Sequence, residues 1–507
     1  MDCTSKNVVA CGYFNTTLNE TGWATLEILL PKTTNNNEYK ITDENKMYAG
    51  GLLEGYLTSK EIYLNYLSLW MNRKDSILPY KNNLTEWFNE QNIWINGEIK
   101  SNNDKYWTYM SLLQTQFNGL QSGYNMSSIE LGLPVLNEFD FMFMNSLEEI
   151  GDIIKSFKYA KDPSLLPDWK NMDNDTFLEY VLKHGSCSGF VKITPEIDNI
   201  YFSHSTWTDF YRMNRIYKHY KFNLNELNPS STHMSLSSFP GILTSIDDYY
   251  IMNNGLAVME TTNGIYNNSL WEYVIPQSLL TWQRVRISNA ISISGLDWVN
   301  NFAKYNSGTY NNQWIILDYK LFKPNEPLND GLLYILEQIP GNCSYMDVTS
   351  ILERGYWASY NVAAIEYIYN VSGTAQNANI HGTSSSYDLA PRARLFRKYN
   401  YNAYNMSMIE KLMRYNDYKH DSIQNNDPTW AIMARGDLKS SNPYPSGGID
   451  TKIADLNMMN NVYAVLQNGP THDNTPTFNW NDWPNIYHIG IPIQYDFDWI
   501  QIPSILN

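Results

Sequence analysis

A predicted β-hairpin that begins beside Cys187 is the most informative local feature of the sequence. Residues 189–194 alternate in polarity and carry β-branched side chains, which is typical of a strand. Residues 195–199 (PEIDN) have turn chemistry, and residues 200–204 have the pattern of a returning strand. The chain is therefore expected to fold back on itself directly after this cysteine.

The hairpin brings a thiol and an imidazole into one neighbourhood. Directly opposed side chains on paired strands lie about 5 Å apart, so the pattern places Cys187 opposite His204, or within a residue or two of Trp207. The thiolate is the reactive form of cysteine, and a free cysteine has a pKa of about 8.5. A neighbouring imidazole or a free amine can act as the base that a cysteine nucleophile needs.

Two interpretations of Cys187 are open at this point. A cysteine at the start of a strand is often a buried and inert core residue. Here small residues flank the thiol on both sides, and they leave room for a substrate or for a backbone turn: Gly185, Ser186, Ser188 and Gly189. The G-x-C-x-G pattern at 185–189 resembles a nucleophile elbow. However, a short helix is predicted before the cysteine, at 176–183, and the strand follows it, which is the reverse order.

The overall composition disfavours several classes of function. Of the 507 residues, 43% are hydrophobic and 14% aromatic, enough for a large core, and this length is typical of roughly two to four domains. The formal net charge of −16 disfavours nucleic-acid binding, because phosphate backbones carry the same sign. No apolar run reaches the roughly 18 residues of a membrane span. No signal peptide is visible, as expected of a cytosolic protein or of a mature or trimmed form.

The order of predicted elements favours an α+β fold of layered sheets and helices. An opening hairpin is expected within residues 8–30. Helices are predicted at 47–71, 107–120, 146–154, 209–220, 282–302, 407–415 and 453–466. Strands are predicted at 137–144, 241–250, 256–262, 314–322 and 332–339. In the helix predicted at 209–220, Arg212, Arg215 and Lys218 are expected to point outward.

Neither a metal site nor a cofactor site is expected. The sequence lacks HExxH and CxxC motifs, its eight histidines are scattered, and it has no P-loop or dinucleotide fingerprint. Four cysteines do not make a disulfide scaffold. Cys3 and Cys11 are nevertheless close enough to form a small disulfide loop, whereas Cys343 has no obvious partner.

Nine Asn-x-Ser/Thr sequons weakly favour a secreted glycoprotein, although asparagine is so abundant that several would arise by chance. The predicted glycosylation sites are Asn15, Asn19, Asn83, Asn125, Asn174, Asn267, Asn342, Asn370 and Asn405.

Longer motifs make the sequence similar to the phospholipase B-like proteins, which are lysosomal or secreted N-terminal nucleophile hydrolases. The motifs occur in the same order along nearly the whole chain: TGWATLEI at 21–28, SCS at 186–188, HSTW at 204–207, METT at 259–262, YNSGTYNNQWIILDYK at 305–320, LEQIPG at 336–341, YWASYN at 356–361, APRARLFR at 390–397, LMRYNDYKHD at 412–421 and SGGIDTK at 446–452. The resemblance implies the four-layer αββα sandwich of that superfamily, in agreement with the layered α+β prediction.

The resemblance also implies a precursor that cleaves itself between Ser186 and Cys187. The thiol would attack the preceding carbonyl, and an N-to-S acyl shift followed by hydrolysis would free a new N-terminus. The products would be 1–186 and 187–507, two fragments of a single hydrolase domain that stay associated. The Pro-, Lys- and Asp-rich segment 159–175 is expected to be an exposed linker. The freed α-amine, with a pKa of about 8, would act as a base.

The remaining site residues are carried over from the matched motifs. The resemblance implies that the catalytic residues are Cys187, His204, Asn361 and Arg392, and that the substrate pocket includes Trp207 and Thr262. Asn361 has the chemistry of an oxyanion-hole donor, and Arg392 can lower the thiol pKa or orient the terminal amine. Each also has a structural alternative: a turn cap for Asn361, a carboxylate partner in the core for Arg392, and plain core packing for Trp207.

The predicted function is a self-processing acyl hydrolase that deacylates phospholipids, with a lipid or another acyl small molecule as substrate. One alternative is an amidase that acts on N-acyl amides or peptides, because members of the superfamily mainly cleave linear amides. The other is a catalytically silent lysosomal glycoprotein that binds a lipid or a partner. The resemblance implies a lysosomal or secreted location, and a homodimer is possible.

Overall fold

Two large β-sheets dominate the structure, a computed structural model that describes residues 3, 8–32, 41–174, 176–177, 179–180, 187–382 and 385–506. The strands are β1 Cys11–Thr17, β2 Trp23–Leu30, β3 Ser188–Ile193, β4 Ile200–Asp209, β5 Arg215–Phe222, β6 His233–Ser238, β7 Tyr249–Met252, β8 Leu256–Thr262, β9 Asn312–Asp318, β10 Leu333–Ile339, β11 Asn342–Asp347, β12 Tyr356–Ser359, β13 Ser446–Asp455, β14 Val465–Asn468, β15 Phe478–Asn479, β16 Gln494–Tyr495 and β17 Ile500–Gln501.

The strands form a nine-stranded sheet, a six-stranded sheet and a small ribbon of β15 and β16. The nine-stranded sheet has the order β1-β2-β5-β6-β7-β8-β9-β10-β11, and the six-stranded sheet has the order β12-β3-β4-β13-β14-β17. Neighbouring strands pair antiparallel except β2 and β5, which pair in parallel from Trp23↔Arg215 to Leu30↔Phe222. This parallel pair joins the N-terminal hairpin to the part of the chain that follows Cys187.

Helices occur mainly before Cys187 and in the last third of the chain. They are α1 Leu18–Thr21, α2 Asp43–Leu57, α3 Ser59–Ile77, α4 Lys81–Ser101, α5 Lys105–Leu131, α6 Glu138–Asn145, α7 Leu147–Lys161, α8 Thr281–Ile291, α9 Gly295–Phe302, α10 Thr349–Leu352, α11 Glu366–Val371, α12 Thr374–His381, α13 Pro391–Tyr399, α14 Met406–Met413 and α15 Leu456–Asn460. No helix in the described ranges is both long and apolar enough to cross a membrane.

Alternating side chains of the nine-stranded sheet enter two different cores, because successive residues of a strand point to opposite faces. Val258 and Ile316 belong to a core that also contains residues of α2 to α7. Met259 and Ile315 belong to a core that contains residues of the six-stranded sheet. A Cβ added to Gly189 of β3 would lie 3.0 Å from Ile315 Cδ1, so the two sheets pack closely at this point.

The hairpin predicted beside Cys187 is confirmed. Its strands β3 and β4 pair antiparallel, with Gly189 opposite His204 and Ser188 opposite Ser205. In the turn, the Thr194 hydroxyl oxygen accepts hydrogen bonds from the backbone N–H groups of Asp198 and Asn199. The predicted opening hairpin is confirmed as well, since β1 pairs with β2.

The structure corrects the helix predicted at 209–220. β4 continues to Asp209, and β5 occupies Arg215–Phe222. The three cations expected on a solvated face are all buried: Arg212, Arg215 and Lys218. Their spacing matches a helical face, but Arg212 lies in a short 3-10 turn and Arg215 and Lys218 lie in β5. Each of these buried cations has a carboxylate partner. The Lys218 ammonium, for example, lies 2.7 Å from Glu54 of α2.

Arg215 is part of a group that we call the ion-pair cluster: Arg215, Asp247, Asp450 and Lys452. The Arg215 guanidinium lies 2.6 Å from Asp247 and 2.7 Å from Asp450. The Lys452 ammonium lies 2.8 Å and 2.7 Å from the same two carboxylates. All four side chains are almost completely buried.

Other secondary-structure predictions also need correction. Residues 137–144 form a helix rather than a strand, because Asn137 and Asp140 make reciprocal capping bonds at the start of α6. The helix predicted at 453–466 is replaced by the end of β13, the short α15 and the start of β14. Only the end of the strand predicted at 241–250 is extended, as β7. The helices predicted at 47–71 and 282–302 are each interrupted and form two helices.

The cysteines follow the sequence expectation. Cys3 and Cys11 form a disulfide, and Cys187 and Cys343 are free thiols. In the predicted linker, α7 extends to Lys161, and most of the described residues that follow are exposed. Leu166 and Trp169 are the exceptions, because their side chains are buried and hold this segment against the protein.

Candidate active site

Cys187 lies directly before β3 and is buried, with 4% of its surface exposed. The β3–β4 register continues to Thr206 as its opposite residue, and the backbone of Trp207 forms a hydrogen bond with the thiol. The prediction that Cys187 lies opposite His204 is wrong, because Gly189 holds that register position. Its alternative, that Cys187 lies within a residue or two of Trp207, is confirmed. Ser186, the other half of the predicted cleavage site, lies outside the described residues.

Arg392 holds the backbone on both sides of this site. It lies in the first turn of α13, and its Nη1 donates to the carbonyl oxygen of Cys187 at 2.6 Å and to Ser188 Oγ at 3.2 Å. Its Nη2 donates to Tyr360 O at 2.9 Å and also to Asn361 Oδ1. A helix N-terminus does not favour a cation by itself, so these acceptors explain why an arginine lies here.

The Trp207 ring packs against one face of the Arg392 guanidinium. The Arg392 guanidinium carbon lies 4.2 Å from the centre of the Trp207 ring, a cation–π contact. The indole Nε1 donates to Ile432 O at 3.2 Å, which fixes the plane of the ring. The indole is buried, and the predicted pocket residue therefore acts as a wall behind the guanidinium.

Asn361 and Thr262 meet through the backbone. The Asn361 Nδ2 donates to Thr262 O at 2.7 Å. The backbone φ of Asn361 is +70°, in the left-handed region that asparagine tolerates better than most residues. An amide nitrogen carries two hydrogens, so the bond to Thr262 leaves one available to a developing oxyanion.

His204 and Glu260 complete a group that we call the thiol cluster: Cys187, His204 and Glu260. Each offers one donor atom, and these atoms all lie within 4.8 Å of one another in the interior of the protein. His204 Nε2 lies 2.9 Å from the backbone oxygen of Glu260. Among the described residues, His204 Nδ1 and Glu260 Oε2 have no hydrogen-bond partner.

Burial controls the protonation of the thiol cluster. Burial, and then the Glu260 carboxylate, raise the pKa of the Cys187 thiol well above its usual range. Burial, and then the charge of Lys452, lower the pKa of His204 well below its usual range. Burial, and then the charge of Asp248, raise the pKa of Glu260. These shifts favour a protonated thiol, a neutral imidazole and a protonated carboxyl group in the cluster.

The structure thus brings Cys187 together with each residue predicted beside it. Arg392 links it to Asn361 and Thr262, Trp207 packs on Arg392, and His204 lies in the thiol cluster. Sequence reasoning missed Glu260, although it lies within the METT motif. A carboxyl group in the strand LAVMETT, whose other side chains are uncharged, was the available signal, because a buried acid needs a special reason.

A separate cavity of about 290 Å³ lies away from these residues. Its lining comes from α4, α5, α6 and α8 and includes Phe88, Phe117, Met142 and Trp282. The predicted site residues are absent from that lining.

The nine sequon asparagines are all exposed or half-buried, so burial excludes none of them from glycosylation.

Comparison with known proteins gives consistent matches over the whole chain. The profile of the family described as Phospholipase B matches residues 10–502. Phospholipase B-like 1 from Bos taurus is 37% identical over 510 residues, covering 99% of this chain and 90% of that protein. Phospholipase B-like 1 from Homo sapiens is 38% identical over 506 residues, with 99% and 88% covered. Phospholipase B from Crotalus adamanteus is 37% identical over 508 residues, with 100% and 90% covered.

One solved structure with a weak similarity is a mutant of the conjugated bile acid hydrolase from Clostridium perfringens. It covers 63% of this chain and 97% of its own, with 13% identity and a TM-score of 0.29. This similarity is too weak to support an inference.

Proposed function

Because the chain belongs to the phospholipase B family, we propose that it is an acyl hydrolase that uses Cys187 as its nucleophile and deacylates phospholipids. The observation that carries this proposal is the position of the thiol. Cys187 begins a strand in the interior, Arg392 holds its carbonyl oxygen at 2.6 Å, and an imidazole and a carboxyl group lie beside its sulfur. The names of the relatives support the substrate class.

The proposed maturation is a self-cleavage. The Cys187 thiol attacks the carbonyl carbon of Ser186, the C–S bond forms, the peptide C–N bond breaks, and the α-nitrogen takes up the proton. Water then hydrolyses the thioester and leaves a carboxylate on residue 186 and a free amine on Cys187. His204, which is neutral with an open Nδ1, is the base within reach before that amine exists.

In the matured enzyme the α-amine of Cys187, with a pKa of about 8, takes over as the base. The thiolate attacks the acyl carbonyl of the substrate, the alcohol leaves with a proton from the amine, and water hydrolyses the acyl-thioester. Asn361 supplies its remaining amide N–H to the oxyanion, and Arg392 keeps Asn361 and the nucleophile in register. We also propose the four-layer αββα arrangement of N-terminal nucleophile hydrolases for this domain.

The two fragments would stay together after cleavage. β2 from the first fragment pairs with β5 from the second over eight residue pairs. The buried ion pair between Glu54 and Lys218 also joins the two fragments. Separation would expose this sheet edge and both charges, so we expect 1–186 and 187–507 to copurify. We propose a lysosomal or secreted location, for which the exposed sequons are suited.

Intact mass and N-terminal sequencing of the purified protein test the maturation step. We expect a new N-terminus at Cys187 in the wild type and a single uncut chain in Cys187→Ala. Cys343→Ala is the matched control, because Cys343 is the other free thiol among the described residues and should leave cleavage unchanged. A wild-type chain that stays uncut, even after acid incubation and protease treatment of residues 159–175, would favour the silent binding protein.

Substrate choice needs a separate test. The matured protein is incubated with a phosphatidylcholine and with an N-acyl amide of the same acyl chain, and released fatty acid is measured. Release from the phospholipid that is absent in Cys187→Ala supports the proposal. Release from the amide alone would replace the phospholipase assignment with an amidase, while leaving the nucleophile assignment intact.

A further inference from the structure

The thiol cluster combines three side chains that bind transition metals. Within the described ranges, Cys187, His204 and Glu260 are the one group of three Cys, His, Asp or Glu side chains whose donor atoms approach this closely in the interior. Thiolate, imidazole and carboxylate are all zinc ligands, and sites with three protein ligands leave a fourth position for water or another molecule. The three residues are far apart in sequence, which explains why no spacing motif revealed them.

His204 is oriented as a metal-binding histidine would be. Its Nε2 contacts the backbone oxygen of Glu260 at 2.9 Å, and a carbonyl can only accept, so Nε2 carries the hydrogen. The lone pair therefore lies on Nδ1, which is buried and has no partner among the described residues. Metal-bound histidines commonly donate their other N–H to a backbone carbonyl in this way.

In Glu260, too, one carboxyl oxygen has a hydrogen-bond partner among the described residues and the other has none. The Tyr310 hydroxyl lies 2.8 Å from Glu260 Oε1. Oε2 is buried and has no partner in the described part of the chain. Native proteins seldom leave buried polar atoms unpaired, and here two such atoms lie in the same cluster as a buried thiol.

We propose that Cys187 Sγ, His204 Nδ1 and Glu260 Oε2 form a Zn²⁺ site. The thiol and the Glu260 carboxyl group each lose a proton to solvent on binding, and the resulting thiolate and carboxylate neutralise the two charges of the ion. Zinc–ligand bonds of about 2.0–2.3 Å require ligand atoms somewhat closer together than 4.8 Å, so the cluster contracts slightly around the ion. If the proposed function is correct, bound zinc occupies the nucleophile and inhibits both self-cleavage and hydrolysis.

The binding test does not depend on activity. Chelator-stripped protein is equilibrated with buffered Zn²⁺, and bound metal is counted after gel filtration. We expect about one ion per chain, and Co²⁺ in its place should give a thiolate-to-cobalt absorption band. The near-isosteric variants Cys187→Ser and Glu260→Gln should each weaken zinc binding by at least about 100-fold, and Tyr310→Phe, which only orients Glu260, by about tenfold.

Several controls make the binding result decisive. Cys343→Ser should bind zinc like the wild type, and thermal unfolding of every variant should show that it is folded. The processing state of each sample is determined by intact mass, so that cut and uncut chains are compared separately. Failure of the stripped wild type to take up zinc, or undiminished binding in Cys187→Ser, would overturn the site. A protein that binds zinc but hydrolyses nothing would keep the site and lose the proposed function.

Discussion

The ion-pair cluster and the thiol cluster are neighbours that treat buried polar groups in opposite ways. His204 of the thiol cluster is the register partner of Lys452 of the ion-pair cluster, across β4 and β13. In the ion-pair cluster each cation contacts both carboxylates at no more than 2.8 Å. Pairing of this kind offsets much of the large cost of removing a charge from water.

The thiol cluster leaves atoms unpaired at the same depth. The described residues give no partner to His204 Nδ1 or to Glu260 Oε2. An unpaired buried polar atom costs about 1–3 kcal/mol. In the ion-pair cluster every charged side chain contacts an opposite charge, whereas the unpaired atoms of the thiol cluster are the ones to which our proposals assign chemistry or a ligand.

Removing the proposed nucleophile should have the largest effect, and it should act on activity rather than on stability. We expect Cys187→Ala to lower the hydrolysis rate by roughly 10⁴-fold or more. The free energy of unfolding, measured by urea titration on uncut chains, should change by only about 1 kcal/mol, because the substitution removes a single sulfur atom. A variant that loses stability but keeps activity would assign the thiol to the core instead.

Removing a carboxylate from the ion-pair cluster should have the opposite profile. Asp247→Asn leaves Arg215 and Lys452 with Asp450 as their one carboxylate in the cluster. We expect a loss of about 3–5 kcal/mol in the free energy of unfolding, because buried charges are left partly unpaired. Glu326→Gln is the control, since its ion pair with Lys323 is 3.7 Å long and exposed, and should change stability by less than about 1 kcal/mol. Equal effects would contradict a structural role for the cluster.

Arg392→Lys keeps the positive charge near the thiol but changes the arrangement of the hydrogen-bond donors. Lysine cannot reproduce the fork that holds the Cys187 carbonyl and Asn361 together. We expect kcat to fall by roughly 10²-fold to 10³-fold while KM changes little, since Arg392 acts on the nucleophile and the oxyanion donor. Arg397→Lys on the same helix, where the side chain is 54% exposed, should keep wild-type kinetics. Similar losses in both variants would point to damage of α13.

A pH series gives the smallest expected effect. Burial raises the pKa of Glu149 and of Glu337 to about 7 and that of Asp248 to about 8. Each of these three groups therefore binds more protons in the folded chain than in the unfolded chain between about pH 4.5 and 7, so its contribution to stability falls as the pH rises through this window. The buried His219 and His233, whose pKa values are lowered to about 4 and to about 3, contribute in the opposite sense below about pH 6.5.

These carboxyl groups should consequently raise the free energy of unfolding at pH 5 relative to that at pH 8. Glu149→Gln should reduce that difference by roughly 1–3 kcal/mol, since each unit of pKa shift is worth about 1.4 kcal/mol. Urea titrations at both pH values measure the difference, with exposed Glu90→Gln as the control. An unchanged pH dependence in Glu149→Gln would show that the Glu149 carboxyl group is ionised in the folded protein.

Local features explain which predictions from sequence were confirmed. The hairpin at Cys187 depends on adjacent residues, namely two β-rich runs and the turn between them, and its register is fixed by the turn. The matched motifs also predicted Arg392 and Asn361 as site residues. No local pattern could show that the Arg392 guanidinium donates a hydrogen bond to Asn361. The strand predicted at 137–144 was wrong because a short apolar run fits a helix or a strand equally well, and here the capping bonds stabilise the helix.

The sequence by itself determined the family, the position of a candidate nucleophile, the opening hairpin and the disulfide between Cys3 and Cys11. Tertiary structure alone decided that Arg215 is a buried strand residue and that Glu260 lies beside the thiol. The physical reason is that a charged side chain can be buried only where oppositely charged or hydrogen-bonding partners surround it. Those partners come from distant parts of the chain, and the cost of burying a charged or polar group can be judged only when they are known.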